Sequence, residues 1–322
     1  MGQSSLTMEE RTVCLKPKRI LLIGGCGYIG SRLYSVLSKT YEVVSIDTCW
    51  FGGEREDNHD WDYQGVAKRI IESYDVIILL AGHSSVQMCK DNAESCYANN
   101  VTNFINLIEK IDIGTKFIYA SSSSVYGDFK EQLATEKDLA FKPNNFYDLT
   151  KHTIDLHASL YPIEYYGLRF GTVNGFSENF RKDIMINAMY TSYDKYGYIK
   201  EYNPEVYRPI LDIQDLCRAI ETIIEKGSPE KAGIYNLASF NSSVKEIVRE
   251  VGYHLECNVE KKNGTDNTKL QSGLYNFSIS SQKFIDTFSF DFRGSVKSIL
   301  DDITNNSRNM VFSDRNIKKE YV

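Results

Sequence analysis

The stretch Ile20-Leu21-Leu22-Ile23-Gly24-Gly25-Cys26-Gly27-Tyr28-Ile29-Gly30 decides the fold of this chain. Its apolar residues end at glycines, which is typical of a buried central strand of a parallel sheet. Gly24, Gly27 and Gly30 are spaced three apart, and such glycines permit a tight turn and let the backbone approach a diphosphate closely. A helix is predicted over residues 28–39, and its free N–H groups and positive dipole end would face the phosphates.

An acidic residue follows the glycine loop at an informative distance. Asp47 follows directly after the next apolar run, residues 43–46. A carboxylate about 20 positions after such a loop accepts hydrogen bonds from the hydroxyls of an adenosine ribose, and it repels a 2′-phosphate. No Arg or Lys follows Asp47 directly, so the sequence favours NAD over NADP. Arg32 on the predicted helix is a basic residue that could still receive a phosphate.

Composition sets the class of protein. The 322 residues include 42% hydrophobic and 25% charged side chains, as in ordinary globular proteins. The net charge is −6 and no long basic run occurs, which argues against nucleic acid or an anionic membrane as partner. The longest apolar run, 76–81, is too short to span a bilayer. The seven cysteines form no C-x-x-C pair, which favours reduced thiols and a cytoplasmic location.

Strand and helix patterns alternate along the first half of the chain. The apolar runs predict strands at 20–23, 43–46, 76–80, 117–120 and 165–170, with helices near 28–39, 64–73, 91–110 and 146–160. This alternation predicts an α/β fold, a Rossmann-type doubly wound parallel sheet with a smaller α/β substrate-binding lobe. We expect a mobile extension at 1–16, a nucleotide-binding domain at 17–172 with returns near 209–238, and the second lobe at 173–208 and 239–322.

Tyr147 and Lys151 form a Y-x-x-x-K pattern, which places both side chains on one face of a predicted helix. A free phenol has a pKa near about 10 and does not act as a base at neutral pH. An ammonium about 4 Å away, at an effective dielectric constant of about 20, is worth roughly 4 kcal/mol, or about three pKa steps. The pair predicts a tyrosine general base. The same pattern also occurs by chance as a solvated pair on a helix.

Four successive serines, Ser121 to Ser124, follow the predicted strand 117–120. They lie at its carboxyl end, where ligands bind in open α/β sheets. A hydroxyl beside the phenol suits the oxidation of a sugar alcohol, because one group holds the oxygen while the other takes its proton. No His, Cys or Asp spacing indicates a metal site.

Further motifs occur in a fixed order, and we quote them together: Leu80-Ala81-Gly82, Asn100-Val101, Ser122-Ser123-Ser124-Val125-Tyr126-Gly127, Tyr147-x-x-x-Lys151 and Leu168-Arg169-Phe170-Gly171-Thr172-Val173. With the glycine loop, they resemble the extended short-chain dehydrogenases/reductases over about residues 18–300. Within that class the chain is similar to the nucleotide-sugar epimerase/dehydratase family, of the UDP-glucose 4-epimerase type. The resemblance implies NAD as cofactor, a nucleotide-diphosphate sugar as substrate and a role in carbohydrate biosynthesis.

The resemblance also implies roles for individual residues. Tyr147 would be the base for a sugar hydroxyl, usually at C4, Ser122 would orient the same oxygen, and Lys151 would hold the nicotinamide ribose. The implied cofactor-binding residues are Gly24, Gly27, Tyr28, Ile29, Gly30, Asp47, Leu80, Ala81, Gly82, Asn100, Tyr147 and Lys151, with Asp60 or Asp62 near the adenine. The implied substrate-binding residues are His83, Ser84, Ser122, Ser123, Ser124, Tyr147, Thr172, Asn187 and Arg208.

A departure from the family pattern bears on the reaction. Sugar 4,6-dehydratases carry Asp-Glu directly after the catalytic Thr, whereas Ser123 and Ser124 stand there in this chain. Dehydration is therefore disfavoured, and a 4-epimerase is predicted first. A nucleotide-sugar C4 dehydrogenase or ketoreductase shares every catalytic residue and stays open as the alternative. A non-catalytic NAD sensor is a remote third, because such relatives typically lose the Tyr or the Lys.

The resemblance implies a homodimer through the predicted helices 91–110 and 146–160. Ile154, Leu156 and Leu160 add apolar surface beyond what one core-facing side of the second helix needs.

Overall fold

The computed structural model describes residues 17–138, 143–261 and 275–312. The expected extension at 1–16 lies outside the described residues. The strands of the described part are β1 (Arg19–Ile23), β2 (Glu42–Ile46), β3 (Asn58–His59), β4 (Val76–Leu79), β5 (Lys116–Ser122), β6 (Phe129–Ala134), β7 (Tyr165–Phe170), β8 (Thr172–Asn174), β9 (Asn179–Phe180), β10 (Tyr198–Glu201), β11 (Tyr207–Asp212), β12 (Gly233–Leu237), β13 (Phe240–Ser243), β14 (Asn258–Lys261), β15 (Phe277–Ile279) and β16 (Val311–Phe312). Its α-helices are α1 (Tyr28–Leu37), α2 (Lys68–Ile71), α3 (Val86–Asp91), α4 (Ala93–Tyr97), α5 (Asn103–Ile108), α6 (Phe146–Ala158), α7 (Met185–Tyr196), α8 (Ile213–Lys226), α9 (Val244–His254), α10 (Gln282–Phe288) and α11 (Val296–Asn306).

The central sheet of the described chain has seven strands in the order β12-β7-β5-β4-β1-β2-β3, and all of its pairings are parallel. The strand order reverses between β1 and β4, so successive crossovers leave β1 in opposite directions. Ligands bind outside the carboxyl ends of parallel strands at such a reversal. The predicted fold class, a Rossmann-type doubly wound α/β sheet, is confirmed.

Alternation along β1 explains why its last four residues, 20–23, are all apolar. Ile20 and Leu22 belong to the apolar cluster on one face of the sheet, and Leu21 and Ile23 belong to the cluster on the other face. Successive side chains of a strand point to opposite faces, and helices cover both faces of this sheet. Each of the four residues 20–23 is therefore buried in a core.

A third apolar cluster, outside the central sheet, contains Phe180, Ile199, Ile247 and Ile299. A three-stranded sheet, β13-β11-β8, lies in this part of the chain. Of the residues expected to return to the central sheet, 233–237 do so as β12, whereas β11 pairs in the small sheet instead. The domain boundaries stay a prediction. None of the described helices is long and apolar enough to cross a membrane.

Two predicted helices are broken in the structure. The segment 64–73 forms a 3-10 turn at Tyr63–Gly65 and the short helix α2. The segment 91–110 is divided into α4, a π turn at Ala98–Thr102 and α5, and Asn92 separates α3 from α4. Asn92 ends one helix and caps the next, since its side chain accepts a hydrogen bond from Ser95 N.

This break brings two cysteines together. Cys89 on α3 and Cys96 on α4 form a disulfide, with their Cα atoms 5.0 Å apart. The expectation of reduced thiols is wrong for this pair, because a spacing of seven residues gave no sign that the chain folds back at Asn92. Cys26, Cys49, Cys217 and Cys257 are free.

Candidate active site

A cavity of about 440 Å³ lies at the carboxyl ends of the central strands, beside the reversal of strand order. Nearly all of the predicted site residues line it, and the exceptions are Asp60, Asn100 and Asn187. The predicted residues that line the cavity are Gly24, Gly27, Tyr28, Ile29, Gly30, Asp47, Asp62, Leu80, Ala81, Gly82, His83, Ser84, Ser122, Ser123, Ser124, Tyr147, Lys151, Thr172 and Arg208.

In the glycine loop, the backbone of Gly30 at the start of α1 packs closely against the backbone of Gly24. A Cβ atom at Gly30 would lie 2.0 Å from the carbonyl oxygen of Gly24, and Gly24 itself has φ +91°. Neither position accepts a side chain without a shift of the backbone. Gly27 precedes the helix and offers no side-chain cap, which leaves the first helical N–H groups for a bound anion.

Asp47 is held rigidly at the end of β2. Its two carboxylate oxygens accept hydrogen bonds from Cys26 N at 2.9 Å and from Cys49 N at 2.8 Å. Burial raises the pKa of this carboxyl, and the backbone N–H groups oppose that shift. Arg32 is turned to Asp302, at 3.5 Å, and does not line the cavity. The basic residue that could have received a 2′-phosphate is therefore engaged elsewhere.

Two predicted ligand contacts need correction. Asp60 is exposed outside the cavity, and Asp62 lines it instead, so the structure favours Asp62 as the acidic residue near an adenine. Asn187 is fully buried and donates hydrogen bonds to the Tyr28 hydroxyl at 3.1 Å and to the Arg181 carbonyl at 3.0 Å. Asn187 thus supports the wall of the cavity rather than contacting a substrate, because its amide is already used inside the protein.

Asn100 also has a positioning role in place of the predicted cofactor contact. Its Oδ1 accepts a hydrogen bond from His83 N at 2.8 Å, and its Nδ2 donates to His83 O at 3.1 Å and to Thr150 Oγ1 at 3.1 Å. The amide therefore joins the loop after β4 to helix α6. Burial lowers the pKa of His83, so this cavity-lining imidazole is neutral at pH 7.

The structure brings the predicted serine and tyrosine together. Ser122 ends β5, and Tyr147 lies in the first turn of α6, which begins after the cap residue Asn145. The Ser122 hydroxyl hydrogen-bonds the Tyr147 phenol and thereby lowers its pKa. Ser122 Oγ also lies 2.8 Å from Ser124 Oγ. A phenol and a hydroxyl therefore meet at the cavity, as an alcohol oxidation requires.

The charge relation between Tyr147 and Lys151 differs from the expectation. Lys151 Nζ lies 5.9 Å from the centre of the Tyr147 ring and donates a hydrogen bond to Ala120 O at 2.8 Å. Burial outweighs the other effects at Tyr147, so its pKa is raised above the ordinary value. Burial likewise lowers the pKa of Lys151 to about 8. The expectation that Lys151 lowers the phenol pKa by about three steps is wrong for the protein itself, because both groups are desolvated and the ammonium is directed at a carbonyl.

Two guanidinium groups line the cavity. Arg208 was predicted, and burial lowers its pKa to about 10, which still leaves it charged at neutral pH. Arg181 was missed, because it follows the two-residue strand β9, which carries no recognisable motif. Its Nε donates to Asp183 at 3.0 Å, and its positive charge lowers the pKa of Tyr147. Two cations in one cavity suit a diphosphate group.

The fold and the pair formed by Tyr147 and Lys151 define an NAD-binding oxidoreductase of the extended short-chain type. The chain belongs to the NAD dependent epimerase/dehydratase family, whose model matches residues 20–238. The predicted family and its cofactor, NAD, are thereby confirmed.

The chain is similar to several named proteins. Protein CapI from Staphylococcus aureus is 28% identical over 241 residues, which cover 66% of this chain and 71% of CapI. UDP-glucose 4-epimerase from Lactobacillus helveticus is 30% identical over 177 residues, covering 50% of this chain and 53% of that enzyme. The crystal structure of UDP-glucuronic acid 4-epimerase from Bacillus cereus, with UDP-glucuronic acid and NAD, has a TM-score of 0.78 at 21% identity and covers 90% of this chain and 99% of that chain. This likeness shows the fold, and the match to the Lactobacillus enzyme spans about half of its length.

Proposed function

We propose that the chain is an NAD-dependent nucleotide-sugar 4-epimerase. The observation that carries the proposal is the hydrogen-bonded pair of Tyr147 and Ser122 at the cavity, one helical turn from Lys151. Tyr147 exchanges a proton with the sugar C4 hydroxyl, and Ser122 holds the same oxygen. The glycine loop 24–30 and Asp47 would hold NAD, which supplies a hydride acceptor and donor when it is bound.

The residues after Ser122 support epimerisation without loss of water. Ser123 is buried, and the Ser124 hydroxyl is bonded to that of Ser122. Neither hydroxyl can itself serve as the acid or the base for loss of water, as a pair of carboxyl groups would, because a serine hydroxyl stays neutral at pH 7. The names of the Lactobacillus and Bacillus relatives, both 4-epimerases, support the same reaction.

The remaining lining residues support a nucleotide-diphosphate sugar as substrate. Arg181 and Arg208 would bind the diphosphate, since both guanidinium groups reach the cavity. His83, Ser84 and Thr172 would line the sugar end. In this arrangement the second lobe would bind the nucleotide sugar and the central sheet would bind NAD.

The reaction is tested by product analysis with catalytic amounts of protein and no added NAD. UDP-, GDP-, CDP- and dTDP-sugars are first screened by thermal shift, because a ligand at 100 times its dissociation constant stabilises a protein by about 2.7 kcal/mol. The stabilising sugars are then incubated and their mass and stereochemistry determined. An unchanged mass with inversion at C4 is expected. A product two hydrogens lighter would establish the dehydrogenase alternative, and a product one water lighter would contradict the proposal.

We also propose that the chain forms a homodimer through α4, α5 and α6. Helix α6 and the residues after it expose Leu156 (54%) and Leu160 (79%), whereas Ile154, which was expected at this surface, is buried in the core. In light scattering at micromolar concentration we expect a dimer, which Leu156→Asp should dissociate. Leu133→Asp, at an equally exposed leucine on β6, is the matched control and should leave the dimer intact. A monomeric unmodified protein would contradict the proposal.

The cytoplasmic location expected from the cysteine pattern stays a prediction. The disulfide between Cys89 and Cys96 weighs against it, because such bonds are rare in the reducing cytosol.

A further inference from the structure

A buried carboxylate lies next to Tyr147, the proposed acid–base group. Asp148 follows Tyr147 on α6 and is 1% exposed. Its Oδ2 accepts a hydrogen bond from the Tyr275 hydroxyl at 2.5 Å and another from Asn145 Nδ2 at 2.7 Å. Its Oδ1 is buried without a direct hydrogen bond from the described residues. One oxygen of this carboxylate is therefore still able to accept a proton.

A chain of hydroxyl groups connects this carboxylate to the phenol. The Tyr147 phenol hydrogen-bonds Ser122, and Ser122 Oγ lies 2.8 Å from Ser124 Oγ. The Ser124 hydroxyl lies close enough to Asp148 to favour its charged form. Either serine can be the donor in the bond between them, because a hydroxyl proton rotates freely. A rotation of the Ser124 hydroxyl toward the Asp148 carboxylate completes the path.

We propose that Asp148, acting through Ser124, is the proton acceptor and donor for the Tyr147 phenol. This inference rests on the proposed function, in which Tyr147 is the acid–base group for the sugar hydroxyl.

Each hydroxyl in this relay passes on one proton and receives one. The phenol O–H bond breaks as its proton moves to Ser122 Oγ. The proton of Ser122 moves to Ser124 Oγ, and the proton of Ser124 forms the O–H bond of a neutral Asp148. The result is a phenolate that can accept the proton of the sugar hydroxyl. The neutral carboxyl returns a proton along the same path, so the relay consumes no other reactant.

The surroundings of Asp148 favour this exchange. Burial raises the pKa of its carboxyl, and the polar groups of Ser124, Tyr275 and Asn145 oppose that shift. Among the described residues, the groups that shift this pKa include no cation. The negative charge of Asp148 in turn raises the pKa of the adjacent Tyr147. The ionisations of the two groups are therefore coupled, because a negative charge on one disfavours a negative charge on the other.

The test is the pH dependence of kcat with saturating NAD and nucleotide sugar. In the unmodified enzyme, kcat should fall as the pH is lowered through the raised pKa of Asp148. Asp148→Asn and Ser124→Ala should each lower kcat by about 10²-fold at pH 7, at the low end for a positioned proton acceptor. Both should also remove the acid limb of the profile, and the double variant should be no worse than either single one. Asp286→Asn, at an exposed carboxylate on α10, is the control of matched chemistry.

The variant Tyr275→Phe tests in which direction the acid limb of the pH profile moves. The Tyr275 hydroxyl stabilises the charged form of Asp148, so its removal should move the acid limb to higher pH. A residue with only a structural role at the start of α6 would change the rate equally at all pH values. An acid limb that persists unchanged in both Asp148→Asn and Ser124→Ala would overturn the relay while leaving the proposed function in place.

A second measurement needs no substrate. The ultraviolet titration of the unmodified protein minus that of Tyr147→Phe isolates the ionisation of Tyr147. This ionisation should move to lower pH in Asp148→Asn, because a nearby negative charge is removed, and it should not move in Asp286→Asn. An inactive protein that shows this shift would refute the proposed function and support the coupling. An unshifted titration would overturn the relay.

Discussion

Replacement of Lys151 by methionine should stabilise the fold while removing the Lys151 ammonium from the active site. Burial lowers the pKa of Lys151 from its ordinary value of 10.5 to about 8, so the folded protein pays a free-energy penalty for keeping this ammonium charged. At about 1.36 kcal/mol for each pKa step, the penalty is roughly 3.4 kcal/mol at pH 7. Methionine loses the hydrogen bond to Ala120 O, which costs about 1 kcal/mol. The net expectation is that Lys151→Met raises the free energy of unfolding by about 2 kcal/mol.

The pH dependence of this effect has a definite sign. The unfolded chain binds a proton at Lys151 up to its ordinary pKa, whereas the folded chain releases it near pH 8. The penalty is therefore full below about pH 8 and disappears as the pH rises toward 10.5. Urea unfolding of both proteins at pH 7 and pH 10 measures the difference. A Lys151→Met variant that is less stable than the unmodified protein at pH 7 would refute this reasoning.

Further substitutions test the rest of the site. Tyr147→Phe should lower turnover by ~10²–10⁴-fold while NAD still binds, since only the acid–base hydroxyl is removed; a loss within a few-fold would show that Tyr147 is not the base. Asp47→Ala should weaken NAD and remove discrimination against NADP in binding titrations, and equal NADP affinity in the unmodified protein would rule out this role. Gly30→Ala should abolish NAD binding measured by calorimetry, because its Cβ would meet the Gly24 carbonyl at 2.0 Å, whereas Gly65→Ala, with nothing within 4 Å, should bind NAD normally.

The central sheet was predictable because its signals are local. The apolar run at 165–170 coincides with β7, and the glycine loop leads into α1 at Tyr28, as expected. Buried parallel strands show near-continuous apolar runs whatever the rest of the chain does. The Tyr147 and Lys151 pair was equally visible, since helical spacing alone places both residues on one face.

Features that depend on the packing of the folded chain, or on a break within a predicted helix, were not predictable. Asn187 was assigned to a substrate by resemblance, but its amide is used within the protein, and its partner Arg181 carries no motif. The disulfide between Cys89 and Cys96 depends on a helix break that has no strong sequence signal. The raised pKa of Tyr147 depends on how deeply the finished fold buries the phenol. Spacing in the sequence predicts which side chains lie near each other, but the pKa of each group also depends on how deeply the fold buries it.

The central claim is that the same sugar carbon is oxidised and then reduced within one active site. It is tested most directly with the nucleotide sugar that stabilises the protein, deuterated at C4 and followed by NMR and mass spectrometry. We predict that the deuterium stays on C4 in both epimers, with no change in mass. Deuterium that appears in the solvent or in released reduced cofactor would contradict the claim.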